Sequence, residues 1–145
     1  MQKAKGKTGG VDDPLPTPHS PIPDPLLRSF HYAIQGISHT FRTQRNARIE
    51  AGIAGMIVVL GLWLQINPTQ WAVLVGCMGL VLGLEILNTA IEALVDLVSP
   101  DHDPLAKIAK DAAAGAVLWA AIFSVIVGLL VLGPGLWSFV SLLIG

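Results

Sequence analysis

The sequence predicts an all-α membrane protein: an N-terminal amphipathic surface helix, then three transmembrane helices, behind a disordered proline-rich tail. Three observations predict it. Only 13% of the 145 residues are charged and the mean hydropathy is +0.63, whereas a soluble domain carries about 25% charged residues. The apolar residues fall in long runs that no charge interrupts. The nine basic residues are confined to two places, Lys3, Lys5, Lys7, Arg28, Arg42, Arg45 and Arg48 before the first run and Lys107 and Lys110 before the third.

Residues 1–25 hold Pro14, Pro16, Pro18, Pro21, Pro23 and Pro25. Proline at that density favours extended chain with no core to bury, so a solvated tail is expected. The first residues lack the apolar stretch of a signal peptide. Over residues 26–48, Leu26, Leu27, Phe30, Ile34, Ile37 and Phe41 recur at helical spacing, with Arg28, His31, Gln35, His39 and Arg42 between them. This is an amphipathic helix too polar to cross, suited to lying on the bilayer with its arginines toward lipid headgroups. Residues 49–66 form the first span, and Asn67-Pro68-Thr69 is a tight turn. The second span covers residues 70–98 and the third residues 105–132, joined by the loop Ser99-Pro100-Asp101-His102-Asp103-Pro104. Gly133-Pro134-Gly135 is expected to break the third helix and leave a short apolar tail over residues 133–145, too short to cross again.

The loops set the orientation. Every Lys and Arg flanks the N-terminal side of the first span or the Ser99 loop, so those lie in the cytoplasm and the C-terminus lies outside. The net charge of −1 gives no footing for nucleic acid. Cys77, the single cysteine, cannot form an intrachain disulfide and reads as a small packing residue.

The second span carries the chemistry. Glu85, Asn88, Glu92 and Asp96 stand at offsets of 0, 3, 7 and 11 residues, which at about 100° per residue is one stripe roughly 80° wide. Carboxylates at this depth are tolerated only when they face protein, water or a cation. About 20 residues from Trp71 reach the cytoplasmic edge of the hydrocarbon near Ala90, so the stripe runs from lipid-headgroup depth into the cytosol. Lys107, Lys110 and Asp111 share one face of the third helix at matching depth, and Ala112-Ala113-Ala114-Gly115 offers a small-residue surface for close helix packing. Asp101 and Asp103 read first as solvated helix-end charges, a reading open to Asp96 as well, Lys107 as a cytoplasmic anchor, and His102 as a loop residue.

The stretch Glu85-Ile86-Leu87-Asn88-Thr89-Ala90-Ile91-Glu92-Ala93-Leu94-Val95-Asp96, with Lys110-Asp111 following, resembles the prokaryotic diacylglycerol kinase family, which includes undecaprenol kinases. The resemblance covers about residues 26–132, and Arg28 to Gly36 looks like the family's surface helix. It implies a homotrimeric lipid kinase of the bacterial inner (plasma) membrane, with active sites shared between subunits and Mg2+ with ATP as phosphoryl donor. By position it implies Glu85 as general base for a lipid hydroxyl and Glu92 as metal ligand. Asn88, Asp96, Lys110, Asp111, Tyr32 and Arg28 are implied as nucleotide-site residues. Gln44 stands in Gln44-Arg45-Asn46-Ala47-Arg48-Ile49 where the family has a second metal-binding glutamate. A glutamine coordinates only through a neutral amide oxygen, and Glu50 close by is a candidate substitute.

No Gly-rich phosphate loop occurs, so phosphate charge would fall to metal held by carboxylates and to Lys110 or surface-helix arginines. Two other readings stay open. An ion pathway would need polar residues through the whole bilayer, and residues 71–84 offer none beyond Cys77. An inactive relative serving assembly is the reading that Gln44 keeps open. Diacylglycerol and undecaprenol both remain as the lipid alcohol.

Overall fold

The computed structural model describes residues 25–101 and 103–144. The proline-rich tail before Pro25, and His102, lie outside the described residues. Four helices follow in order: α1 Pro25–Thr43, α2 Arg45–Trp63, α3 Pro68–Val98 and α4 Pro104–Ile144. The chain is all-α among the described residues, and α2, α3 and α4 are each long and apolar enough to cross a membrane.

α1 shows the expected amphipathic pattern, and Leu26, Leu27, Phe30 and Ile34 stay exposed. The protein does not cover this stripe, as a helix resting on lipid requires. The surface helix ends at Thr43, short of the residue 48 expected from sequence. Gln44 is extended, with φ −92° and ψ 120°, and begins α2. The bend is local chemistry. Thr40 and Thr43 turn their hydroxyls back onto the carbonyls of Gly36 and His39, a pattern that weakens and bends helices. Thr40 and Ala47, buried on either side of the bend, pack the joint. Arg45 and Arg48 therefore belong to the first spanning helix.

α2 has 19 residues, about 28 Å at about 1.5 Å per residue, close to the thickness of a hydrocarbon core. It closes in a Schellman motif: the Ile66 N–H donates to the Gly61 carbonyl and the Gln65 N–H to that of Leu62. Gln65 takes the left-handed position, φ 51°, that glycine usually fills. Asn67 then caps α3 in a reciprocal box with Gln70, and Pro68 occupies the first turn, where its missing N–H costs nothing. Trp71 packs directly on Gly61, where an added Cβ would lie 2.9 Å from its ring.

α4 runs unbroken to Ile144, past the stop expected at Leu132. Pro134 sits inside the helix. A proline removes one backbone hydrogen bond, but ending the helix in an apolar setting would orphan several groups at once, so the helix continues. Trp63 meets Phe139 edge-on at 4.5 Å, and the Gln70 amide reaches the Val131 carbonyl at 3.4 Å.

α3 packs chiefly on α4, with α2 and α1 against α3. The interior is inverted relative to a soluble protein. Among the described residues only Ala47, Leu74, Val81, Val117, Ala120 and Leu132 are buried apolar side chains, while Thr40, Glu85, Asn88 and Thr89 are buried and polar.

Candidate active site

Of the sequence-predicted stripe on α3, Glu85, Asn88 and Glu92 lie on the protein-facing side of the helix, while Asp96 is exposed. Glu85, Asn88 and Thr89 are only 2%, 6% and 8% exposed. Thr89 spends its hydroxyl on the Glu85 carbonyl at 2.9 Å, leaving the carboxylate and the amide for other partners. One turn on, Glu92 is half-buried and accepts two amide N–H groups. Gln44 Nε2 donates to Oε2 at 3.0 Å and Asn88 Nδ2 to Oε1 at 3.0 Å. The bend at residue 44 is what delivers the first donor, because the extended backbone there swings Gln44 from the start of α2 onto α3. Gln44, Asn88 and Glu92 thus meet, with Glu85 a turn deeper on the same helix.

This donor set suits a hard cation. A carboxylate and two amide oxygens are oxygen ligands of the kind magnesium takes, and Asn88 Oδ1 is buried with no hydrogen-bond partner. Among the described residues no three His, Cys, Asp or Glu side chains converge as a metal cage. A magnesium ion here would keep waters and share its coordination with phosphate oxygens.

Glu50 joins the neighbourhood from α2. It is half-buried and its Oε2 has no partner. It is the sole charged residue lining a cavity of about 370 Å³ walled mostly by apolar side chains such as Ile53, Ile57, Leu60, Val81 and Leu129. Sequence reasoning noted Glu50 only as a stand-in for Gln44; its orphaned oxygen and its place on an apolar wall carry no sequence signal. Thr40 was missed altogether; it is buried beside the bend, and its carbonyl accepts the Gln44 N–H at 2.8 Å.

The remaining site residues sit apart, toward the ends of α3 and α4. Asp96 accepts Lys110 Nζ at 2.6 Å, tying the two helices together, and Lys107 pairs with Asp111. These four line a second cavity of about 570 Å³ with Asp101 and Asp103. Asp103 also caps the start of α4, accepting the Leu105 N–H at 2.6 Å. Tyr32 lies on α1, 60% exposed, with His31 as its ring neighbour at 6.1 Å. Arg28 lies in the first turns of α1. Neither lines either cavity.

The family model for prokaryotic diacylglycerol kinase matches residues 31–132, which hold every candidate site residue named above except Arg28. The chain belongs to the prokaryotic diacylglycerol kinase family. It is 44% identical over 111 residues to the undecaprenol kinase of Bacillus subtilis, covering 77% of this chain and 90% of that one. It is 49% identical over 114 residues to a diacylglycerol kinase of Synechocystis, covering 78% of this chain and 65% of that longer protein. With the diacylglycerol kinase of Escherichia coli it shares 32% over 101 residues, 70% of this chain and 83% of the relative. Membership makes the chain a phosphotransferase with a nucleotide co-substrate, and its three apolar helices make it a bacterial membrane protein.

Proposed function

We propose that this member of the prokaryotic diacylglycerol kinase family transfers the γ-phosphoryl group of ATP to the hydroxyl of a membrane lipid alcohol, diacylglycerol or undecaprenol, at the cytoplasmic surface. The observation that carries the reading is the burial of Glu85 inside a membrane-spanning helix, one turn from the oxygen-donor cluster of Gln44, Asn88 and Glu92. Buried carboxylates at such depth are expensive and mark functional sites.

In this reading Glu85 accepts the proton of the lipid hydroxyl as that oxygen attacks phosphorus. Phosphoryl transfer asks for positioning and charge neutralisation more than covalent chemistry. Bound magnesium would neutralise phosphate charge, held by Glu92 with Gln44 and Asn88. Lys110, oriented by Asp96, and Asp111 meet the nucleotide in the larger cavity, with Arg28 and Tyr32 of α1 as further nucleotide contacts. The hydrocarbon of the lipid lies along the apolar cavity that Glu50 lines; about 370 Å³ is ample for part of one chain. The N-terminus and the Ser99 loop face the cytoplasm and the C-terminus faces outward. The chain assembles as a homotrimer with shared active sites, as the family resemblance implies.

Phosphate transfer from radiolabelled ATP in mixed micelles tests the proposal. Diacylglycerol and undecaprenol are offered separately, with Glu85→Ala as control. Transfer to either lipid, lost in the control, is expected. No transfer to either from a folded sample with excess magnesium refutes the kinase reading, and near-normal transfer by the variant refutes Glu85 as base.

A further inference from the structure

The apolar cavity of about 370 Å³ has two unlike ends. Glu50 is its first lining residue on α2 and Ala121 its first on α4. Lys110 bonds Asp96 across α4 and α3, and eleven residues further into the bilayer along these helices stand Ala121 and Glu85. One end of the cavity is therefore level with the buried acids. The lining ends at Leu60 on α2 and at Leu136 on α4. One turn past both, on the same helix faces, the two helices are bridged. Trp63 meets Phe139 edge-on at 4.5 Å, and Leu64 lies over Gly135, 3.4 Å from where a Cβ would stand. The far end stops against side chains.

Helix rise fixes the span between the ends. Ala121 to Leu136 is fifteen residues of α4, about 22 Å, and Glu50 to Trp63 is thirteen residues of α2, about 20 Å. Either exceeds one leaflet, about 15 Å of hydrocarbon. A volume of about 370 Å³ over about 22 Å leaves a section of about 17 Å², room for one hydrocarbon chain and not for two abreast. Hydrocarbon gains little by leaving lipid for an apolar wall, so this bore cannot choose among tails by hydrophobicity. It can choose by fit, because a chain that overfills a packed site displaces side chains. Gly135 and Phe139, the α4 half of the bridge, lie beyond the family match, which ends at residue 132.

We infer that the Trp63–Phe139 bridge is a length stop, which limits the hydrocarbon tail of the lipid alcohol inside the cavity to about 20 Å from the buried acids. The inference rests on the lipid-kinase reading above and adds the residues that measure the tail. Gly128 and Gly133 keep the bore open, since a Cβ on either meets nothing within 4 Å. Gly128 stands seven residues along from Ala121, about 10 Å, so a large side chain there moves the stop to about half the depth.

Phosphate transfer by the full chain to geraniol, farnesol, geranylgeraniol and undecaprenol, each at equal mole fraction in mixed micelles, tests this through kcat/KM as the tail lengthens. Diacylglycerols of shorter and longer acyl chains run beside them, so that the class of alcohol is read apart from tail length. Circular dichroism checks that each variant is folded. Wild type is expected to gain with each isoprene unit up to geranylgeraniol, whose extended tail fills the cavity, and to gain nothing more with undecaprenol. Gly128→Leu should end the gain at geraniol, lowering the ratio of geranylgeraniol to geraniol kcat/KM at least about fivefold. Phe139→Ala should carry the gain on to undecaprenol. If diacylglycerols alone are phosphorylated, the same comparison is read on their acyl lengths. A wild-type profile that is flat, or that climbs unbroken to the longest tail, overturns the stop while leaving the kinase reading intact. So does a profile that neither variant changes. No transfer to any of these alcohols from folded wild type overturns the kinase reading, and the stop with it.

Discussion

Replacing Gln44 by glutamate should make the stability of the protein depend on divalent cations. In the native chain Gln44 Nε2 lies 3.0 Å from Glu92 Oε2. Gln44→Glu puts a second anionic oxygen where that N–H donor stands. Two losses follow. The hydrogen bond to a charged acceptor disappears, worth about 1.5–3 kcal/mol. Two like charges about 4 Å apart also repel by about 4 kcal/mol at the effective dielectric of a protein surface. Both side chains are half-buried, so the new carboxylate can swing partly into water, and a net cost of about 2–4 kcal/mol is reasonable. For a chain of this size about 1 kcal/mol moves the melting temperature by about 4 °C. The variant in chelator should therefore melt about 8–16 °C below wild type, and millimolar magnesium should restore most of the difference. Wild type should be almost indifferent to chelator. Thermal unfolding in micelles, followed by helical circular dichroism, reads this directly. A variant that melts within about 2 °C of wild type in chelator would mean that residues 44 and 92 do not face each other, and the contact between them would be refuted.

Three further outcomes are expected. Glu92→Gln should raise the magnesium concentration for half-maximal phosphate transfer by at least about tenfold, and an unchanged magnesium curve would remove its ligand role. Gly61→Val should cost about 1–3 kcal/mol by overpacking, because a Cβ alone already lies 2.9 Å from Cη2 of Trp71 and 3.0 Å from Cδ1 of Ile66; an unchanged melting temperature would show that the tryptophan moves freely. Gln65→Gly should gain about 1 kcal/mol, because Gln65 holds a left-handed φ of 51° that only glycine adopts without steric cost, and a loss of stability on the same scan would refute that account.

The helix types and the buried stripe were legible because both are written in local periodicity. Fourteen residues without a charge from Trp71 to Leu84, followed by acids at spacings of three and four, leave few alternatives to a helix with one polar face. Asn67-Pro68 likewise announced its cap. The bend at Gln44 was only partly legible: the Thr40 and Thr43 hydroxyls that weaken the helix are local, but the Glu92 carboxylate that takes the Gln44 amide lies 48 residues away. In hydrophobic periodicity residues 26–48 continue one helical pattern, and neither that contact nor the burial of Thr40 and Ala47 is written in it. The end of α4 was misjudged for the opposite reason. Gly133-Pro134-Gly135 is a strong break signal in water, where freed backbone groups are solvated. Among apolar surroundings those groups have no solvent to turn to, and the helix carries its proline through.

The same inversion bears on how the site is held. Side chains such as Leu87, Leu94, Leu118 and Leu129 are exposed, and in a bilayer they gain little by facing protein rather than lipid. Few apolar contacts therefore define how α1, α2 and α3 meet. Beside them stand polar contacts: Gln44 to Glu92, Asn88 to Glu92, and Lys110 to Asp96 across to α4. The residues proposed for chemistry are thus also those that fix the helices in register. Variants that delete a polar group should lose helix packing along with turnover, so activity loss alone cannot assign a role at these positions. Variants that add a donor oxygen, as Gln44→Glu and Asn88→Asp do, separate the two contributions. They alter the cation's share of the site while keeping side-chain volume, and a divalent ion restores the packing that the new charge disturbs.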